Sequence, residues 1–175
     1  MKHILTWLLV GFLGLARAQP APEASVKAVF LYNFTRFVEW PETAFASPDA
    51  PFVIGIIGPD PFGSALQEAV AGERVGGHPI RVHRYQLPAE ARDCHLLYIV
   101  DRDPEKVREM LAQLPRRALL TVGESAQFAR QGGMIRFLTR NNKIRLEINP
   151  ATVRAAQLSI SAKLLQVAEI VDQAP

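Results

Sequence analysis

The chain has 175 residues, 49% of them hydrophobic, with 20 basic against 17 acidic side chains and one cysteine. This is enough chain for one domain with its own core. A single cysteine excludes a disulfide-stapled scaffold, and the absence of a basic stripe excludes a nucleic-acid binder.

The opening "MKHILTWLLVGFLGLARAQ" sets Lys2 and His3 before an apolar run from Ile4 to Leu15 and closes on Ala16-Arg17-Ala18. A charged start, a short apolar centre and an A-x-A end predict a signal peptide over residues 1–18. The run is shorter than the roughly 20 residues that span a bilayer. An uncleaved anchor is the competing reading, opposed by Arg17 and the polar "QPAPEAS" that follows. Residues 19–23 are then a flexible start and 24–172 a single domain. Removal of Lys2 and Arg17 leaves 18 basic against 17 acidic residues. No other long apolar run exists, so a soluble exported protein without direct membrane insertion is expected.

"NFTRFVEWPE", residues 33–42, closes the first predicted helix, capped by Ser25 and ended by Pro41. On a helical wheel Val26, Phe30, Phe34 and Phe37 fall together, flanked by Leu31 and Val38, with Tyr32, Arg36 and Glu39 opposite. A phenylalanine stripe is core far more often than it is a binding site. With only Lys27 and Arg36 as cations, the other side lacks the basic face of a membrane-surface helix.

"FVIGIIG", 52–58, reads as a strand buried on both faces. Asp60 and Pro61 carry a cap-plus-proline signal for a helix over "PFGSALQEAV". "GERVGGHP" is a turn, and "IRVHRY", 80–85, alternates like a half-exposed edge strand. "CHLLYIV", 94–100, is a second buried strand; Asp103-Pro104 opens the helix "PEKVREMLAQL". "ALLTV", 118–122, is a third buried strand, followed by a short helix "ESAQFAR". "MIRFLT" and "KIRLEI" form an antiparallel hairpin at the sheet edge, turned at Asn141-Asn142. Asn149-Pro150 starts a final helical region to about Val171, with "QLSIS" as a point where it could break. Ile160, Leu164, Val167 and Val171 share one face there. The fold class implied is a three-layer, doubly wound α/β domain, Rossmann-like or flavodoxin-like. Its sheet is mainly parallel, with an antiparallel edge hairpin and flanking N- and C-terminal helices.

Ligands in such sheets bind at the carboxyl ends of strands. The candidates there are Asp60, Phe62, Gly123, Glu124 and Ser125. Asp60, Asp103 and Glu124 already supply negative charge and would repel a phosphate. The sequence contains no G-x-G-x-x-G, no Walker A pattern and no G-x-S-x-G. His78, His83 and His95 lack metal-ligand spacing. Cys94 and His95 are strand neighbours, point to opposite faces, and cannot form a nucleophile–base pair. No catalytic residue, metal or cofactor is expected, and Cys94 reads as a buried free thiol.

Several stretches together resemble the YfiR family of exported bacterial proteins: "VKAVFLYNFTRFVEWPE", "IGIIGPDPFGSALQ", "CHLLYIV", "LLTVGESAQFARQGGMIRF" and "KIRLEINPATVRAAQLSISAKLL". The resemblance spans roughly residues 24–172. It implies a periplasmic, non-catalytic regulator. The best-understood relative binds the periplasmic sensor domain of an inner-membrane diguanylate cyclase and so lowers cyclic di-GMP output and biofilm formation. The partner implied is therefore an inner-membrane sensor protein, such as a diguanylate cyclase or a histidine kinase, and a homodimer is open. That relative uses cysteine pairs. Here Cys94 matches one of the family cysteines, Ile54 and Gly55 stand around the position of its partner, and the hairpin carries none. Ligand-binding Arg and His of some relatives have no counterpart in "QLSISAK". Within this frame Arg36, Glu39 and Trp40 are the candidate partner-binding residues. The competing reading makes Arg36 and Glu39 a surface pair and Trp40 a helix-end packing residue. A periplasmic small-molecule binder is the alternative function.

Overall fold

A computed structural model of the chain describes residues 23–115 and 117–171. The expected signal peptide, residues 19–22 of the expected flexible start and the last residue of the expected domain lie outside this range.

In chain order the helices are α1 (Glu23–Phe37), α2 (Ala65–Val70), α3 (Pro104–Gln113), α4 (Pro150–Ala155) and α5 (Ala162–Gln166). The strands are β1 (Val38–Glu39), β2 (Phe52–Ile57), β3 (Arg74–Val75), β4 (His78–Tyr85), β5 (Leu96–Ile99), β6 (Leu120–Gly123), β7 (Ile135–Arg140), β8 (Lys143–Ile148), β9 (Ser159–Ile160) and β10 (Glu169–Ile170). One mixed sheet runs in the order β10-β8-β7-β6-β5-β2-β4-β3. Its centre, from β4 through β2, β5 and β6 to β7, is parallel. β1 and β9 form a separate two-stranded antiparallel pair.

Strand periodicity divides the core between the two faces. Leu96 and Tyr98 of β5, with Phe52, Ile54 and Ile56 of β2, pack under α1 and α2. Leu97 and Ile99 turn the other way, onto Val107 of α3 and Phe128. The strands that form in the three apolar runs, β2, β5 and β6, are buried along their whole length, as helix cover on both faces requires. α3 begins where Asp103 predicts, since its carboxylate accepts the N–H groups of Glu105 and Lys106. The hairpin turns at Asn141 and Asn142, whose φ of 51° and 57° is the left-handed pair that a two-residue turn requires.

Other expectations are corrected. α1 ends at Phe37, short of Pro41, and Ser25 lies inside it. The Phe37 carbonyl accepts the Ser161 N–H at 2.8 Å, and Val38–Glu39 pairs with Ser159–Ile160, so tertiary pairing overrides helical continuation. The buried face of α1 is Lys27, Ala28, Leu31, Phe34 and Thr35, while Phe30 and Phe37 are only partly covered. α2 starts at Ala65, because the Asp60 carboxylate accepts the Phe62 N–H at 2.7 Å in a local turn. "ESAQFAR" holds only a single 3₁₀ turn at Phe128–Arg130. β3 folds back on β4 within the expected turn. β8 is not the sheet edge, since β10 pairs beyond it. The final region is two short helices, interrupted by β9 after Gln157 takes a φ of 60°. Val167 is 67% exposed and does not join Leu164 and Val171 in the interior.

Candidate functional site

The sheet has two chemically different ends. At the carboxyl ends of β5 and β6 sits a cluster of charge satisfied from within. Lys27, on the buried stripe of α1, reaches Glu124 at 2.6 Å and Glu23 at 2.5 Å. Glu124 also accepts the Tyr98 hydroxyl and lies 2.5 Å from Arg102. Burial alone would raise the Glu124 carboxyl. Hydrogen bonds from Lys27 and Tyr98, with the charges of Lys27 and Arg102, outweigh that and hold it below the usual range. The Tyr98 hydroxyl is pushed up, first by burial and then by Glu124.

The strand-end candidates fall around this cluster without converging on one open site. Glu124 lines a cavity of about 540 Å³ with Lys27, Arg102 and Arg136. Asp60 is occupied by the Phe62 N–H and by Arg84 Nε at 2.8 Å. Phe62 is buried with its ring edge-on to Tyr98. A Cβ on Gly123 would stand 2.5 Å from the Phe128 ring, so glycine there makes room for packing. Ser125 is fully buried and its Oγ donates to the Arg102 carbonyl at 3.2 Å.

The amino end is open. A cleft of about 910 Å³ lies between the end of α1, the loop 41–48 and the β3–β4 turn. Arg36, Glu39 and Trp40 all line it, because α1 stops at Phe37 and the β1–β9 pairing redirects the chain. Arg36 is exposed beside Tyr32, whose hydroxyl donates to Glu73. That carboxylate raises the Tyr32 pKa and Arg36 opposes it. Arg36 and Glu39 form no ion pair with each other. Trp40 is half-buried: its indole N–H donates to the His95 carbonyl at 3.2 Å, and its ring meets Phe52 edge-on at 4.7 Å. With Glu42 and Arg74 also present, the rim carries two charges of each sign.

Below the rim lies an aromatic stack that sequence reasoning missed. Phe45 lies parallel to His78 at 3.7 Å and stacks on His95 at 4.7 Å; His95 in turn stacks on Phe52 at 4.9 Å. The two histidines also tie the loop down. His78 Nδ1 donates to the Ala50 carbonyl at 2.7 Å. His95 Nδ1 accepts the Val53 N–H at 3.1 Å, which leaves Nε2 to donate to the Ala44 carbonyl at 3.2 Å. Burial, then the charge of Arg117, pushes the His95 pKa down to about 4. An aromatic floor under a rim of mixed charge fits an anchoring side chain flanked by polar contacts. Among the described residues, no group of three or more His, Cys, Asp or Glu is placed to hold a metal ion. No helix among them is long and apolar enough to cross a membrane.

Cys94 is fully buried on the α3 side, while His95 faces the cleft side, as neighbours on an extended chain must. Burial pushes the Cys94 thiol up to about 12. His83 is exposed on β4.

The family model described as YfiR/HmsC-like matches residues 24–169, which is most of the chain, and the protein belongs to that family. A comparison with curated proteins finds no significant match.

Proposed function

We propose that this protein is an exported, non-catalytic regulator that binds the periplasmic sensor domain of an inner-membrane signalling protein. A diguanylate cyclase is the favoured partner and a histidine kinase the other; binding restrains cyclic di-GMP signalling and biofilm formation. Family membership supports the class of function. The observation that carries the site is that Arg36, Glu39 and Trp40 line one cleft. In this reading the leader is removed after Ala18 and residues 24–172 act as one domain. The parallel order β4-β2-β5-β6-β7 supports reading the sheet as doubly wound and flavodoxin-like.

The near balance of charge gives little long-range steering, so recognition rests on local anchors, for which Trp and Arg are the usual residues. Copurification from solubilised membranes tests the proposal. Capture of a membrane cyclase or kinase, with cyclic di-GMP rising when the gene is deleted, is the expected result. Capture of no membrane signalling protein overturns it. The cleft volume also lies in the range of small-molecule sites, which favours the periplasmic binder as second reading. A ligand that raises the melting temperature without affecting partner capture would support that reading.

A further inference from the structure

The outer edge of β4 is open over a short, defined window. At its start β3 covers it, and the Ile80 N–H is taken by the Glu73 carbonyl at 3.2 Å. At its end the Gln86 N–H is taken by the Glu90 carboxylate at 2.9 Å. Backbone groups two residues apart on a strand face the same way. The N–H and C=O groups of Val82 and Arg84 therefore point outward with Ile80 and Gln86, while the intervening residues face β2. Among the described residues, the outward groups of Val82 and Arg84 have no partner.

Most of the charged side chains along this window are basic, with the Glu90 carboxylate at its far end. Arg81, His83 and Arg84 are exposed, and Arg74 stands at the approach. Among the described residues two acids stand against this stretch, and both are already engaged: Asp60 pairs with Arg84, and Glu90 holds the Gln86 and Leu87 N–H groups. Charge on an edge deters pairing with a like strand. A second copy of β4 laid antiparallel about His83 would set His83 against His83 and bring the two sets of arginines together, which is unfavourable. The same charges suit an acidic strand. We propose that the Val82–Arg84 edge of β4 accepts an extended acidic segment of a partner protein by strand addition. The added strand takes the outward N–H and C=O groups of Val82 and Arg84, and its carboxylates lie against Arg81 and His83. The window adjoins the cleft through the β3–β4 turn but shares none of Arg36, Glu39 and Trp40, so either site stands or falls alone.

The test titrates the protein with two short synthetic peptides, one alternating threonine with glutamate, the other threonine with lysine, while amide resonances and their exchange are followed. The glutamate peptide is expected to shift and protect the Val82 and Arg84 amides, and the lysine peptide is not. Arg84→Pro removes an outward donor that Arg84→Ala keeps, and should bind the glutamate peptide about tenfold more weakly than Arg84→Ala. The double change Arg81→Glu with His83→Glu should transfer the preference to the lysine peptide, a readout that does not depend on how Arg84→Pro folds. No binding, equal binding of both peptides, or binding indifferent to Arg84→Pro in a folded variant would overturn the proposal. Self-association abolished by Arg84→Pro would assign the edge to a second copy and overturn it equally.

Discussion

Acidification should loosen the cleft floor through His95, by an amount that follows from its surroundings. The ring is 3% exposed, between Phe45 and Phe52, and both nitrogens are used in the neutral form. A second proton at Nδ1 would replace an acceptor by a donor opposite the Val53 N–H and bury a charge among aromatic rings. Arg117 and His78 add repulsion, and Asp93 opposes it weakly. The unfolded chain takes up this proton near pH 6.5, the folded chain only near pH 4. The stabilisation is therefore complete above about pH 6.5, falls as the pH is lowered, and is gone below about pH 4. A separation of this size corresponds to about 3 kcal/mol, of which about 2–3 kcal/mol falls between neutral pH and pH 4. Urea unfolding of the protein and of His95→Gln, from neutral pH to pH 4, isolates it, because the remaining histidines and carboxylates titrate in both. The wild type should lose about 2–3 kcal/mol more than the variant across that range. Parallel pH profiles would show that His95 is not held neutral by this site.

Phe34→Ala should cost about 3–5 kcal/mol by thermal or denaturant unfolding, since Phe34 is fully buried and stacks on Phe137 at 5.7 Å. Phe37→Ala should cost clearly less, and equal costs would contradict the burial pattern of α1. Removing one partner of a buried pair leaves the other uncompensated, so Lys27→Met should destabilise by about 1–3 kcal/mol, with Arg102 and Tyr98 limiting the loss. Because Glu124 sits below the usual carboxylate range, its contribution is present above the unfolded carboxylate pKa and lost as the pH falls through its folded value. A variant as stable as the wild type at neutral pH would refute the role given to this pair. A Cβ built on Gly55 lies 2.6 Å from Cys94 Sγ, close to the separation of about 3 Å across a disulfide, and also 2.6 Å from Tyr85 Cε2 and 2.9 Å from Leu97 Cδ1, which must shift to admit it. Gly55→Cys should therefore oxidise to a bond between the introduced thiol and Cys94, seen as loss of both thiols in native protein; two titratable thiols after oxidation would refute it.

What was legible in the sequence was local. β2, β5 and β6 announce themselves as short apolar runs, α3 through Asp103-Pro104, and the hairpin through Asn141-Asn142. Contacts between distant segments were not legible. Nothing in "RFVEWP" says that Val38 will leave the helix to pair with Ile160, more than a hundred residues later. Asp60 carries the same signal as Asp103, yet a local turn with Phe62 takes its carboxylate first. Lys27 could have been found: it precedes Leu31 and Phe34 by four and seven residues, which is the spacing of the buried stripe. Of the candidate site, Arg36, Glu39 and Trp40 were readable as neighbours at a helix end. The Phe45–His78–His95 stack was not, because its members come from a loop and two different strands.

The most direct test of the central proposal combines partner capture with melting for Arg36→Ala, Glu39→Ala and Trp40→Ala. Arg36 and Glu39 are exposed, so their removal should weaken capture of the membrane partner while leaving the melting temperature nearly unchanged. Trp40→Ala should lose capture and some stability together, because it also loses its hydrogen bond to the His95 carbonyl and its contact with Phe52. Capture that survives all three substitutions, or that falls only in proportion to lost stability, would contradict the assignment of the cleft as the partner site.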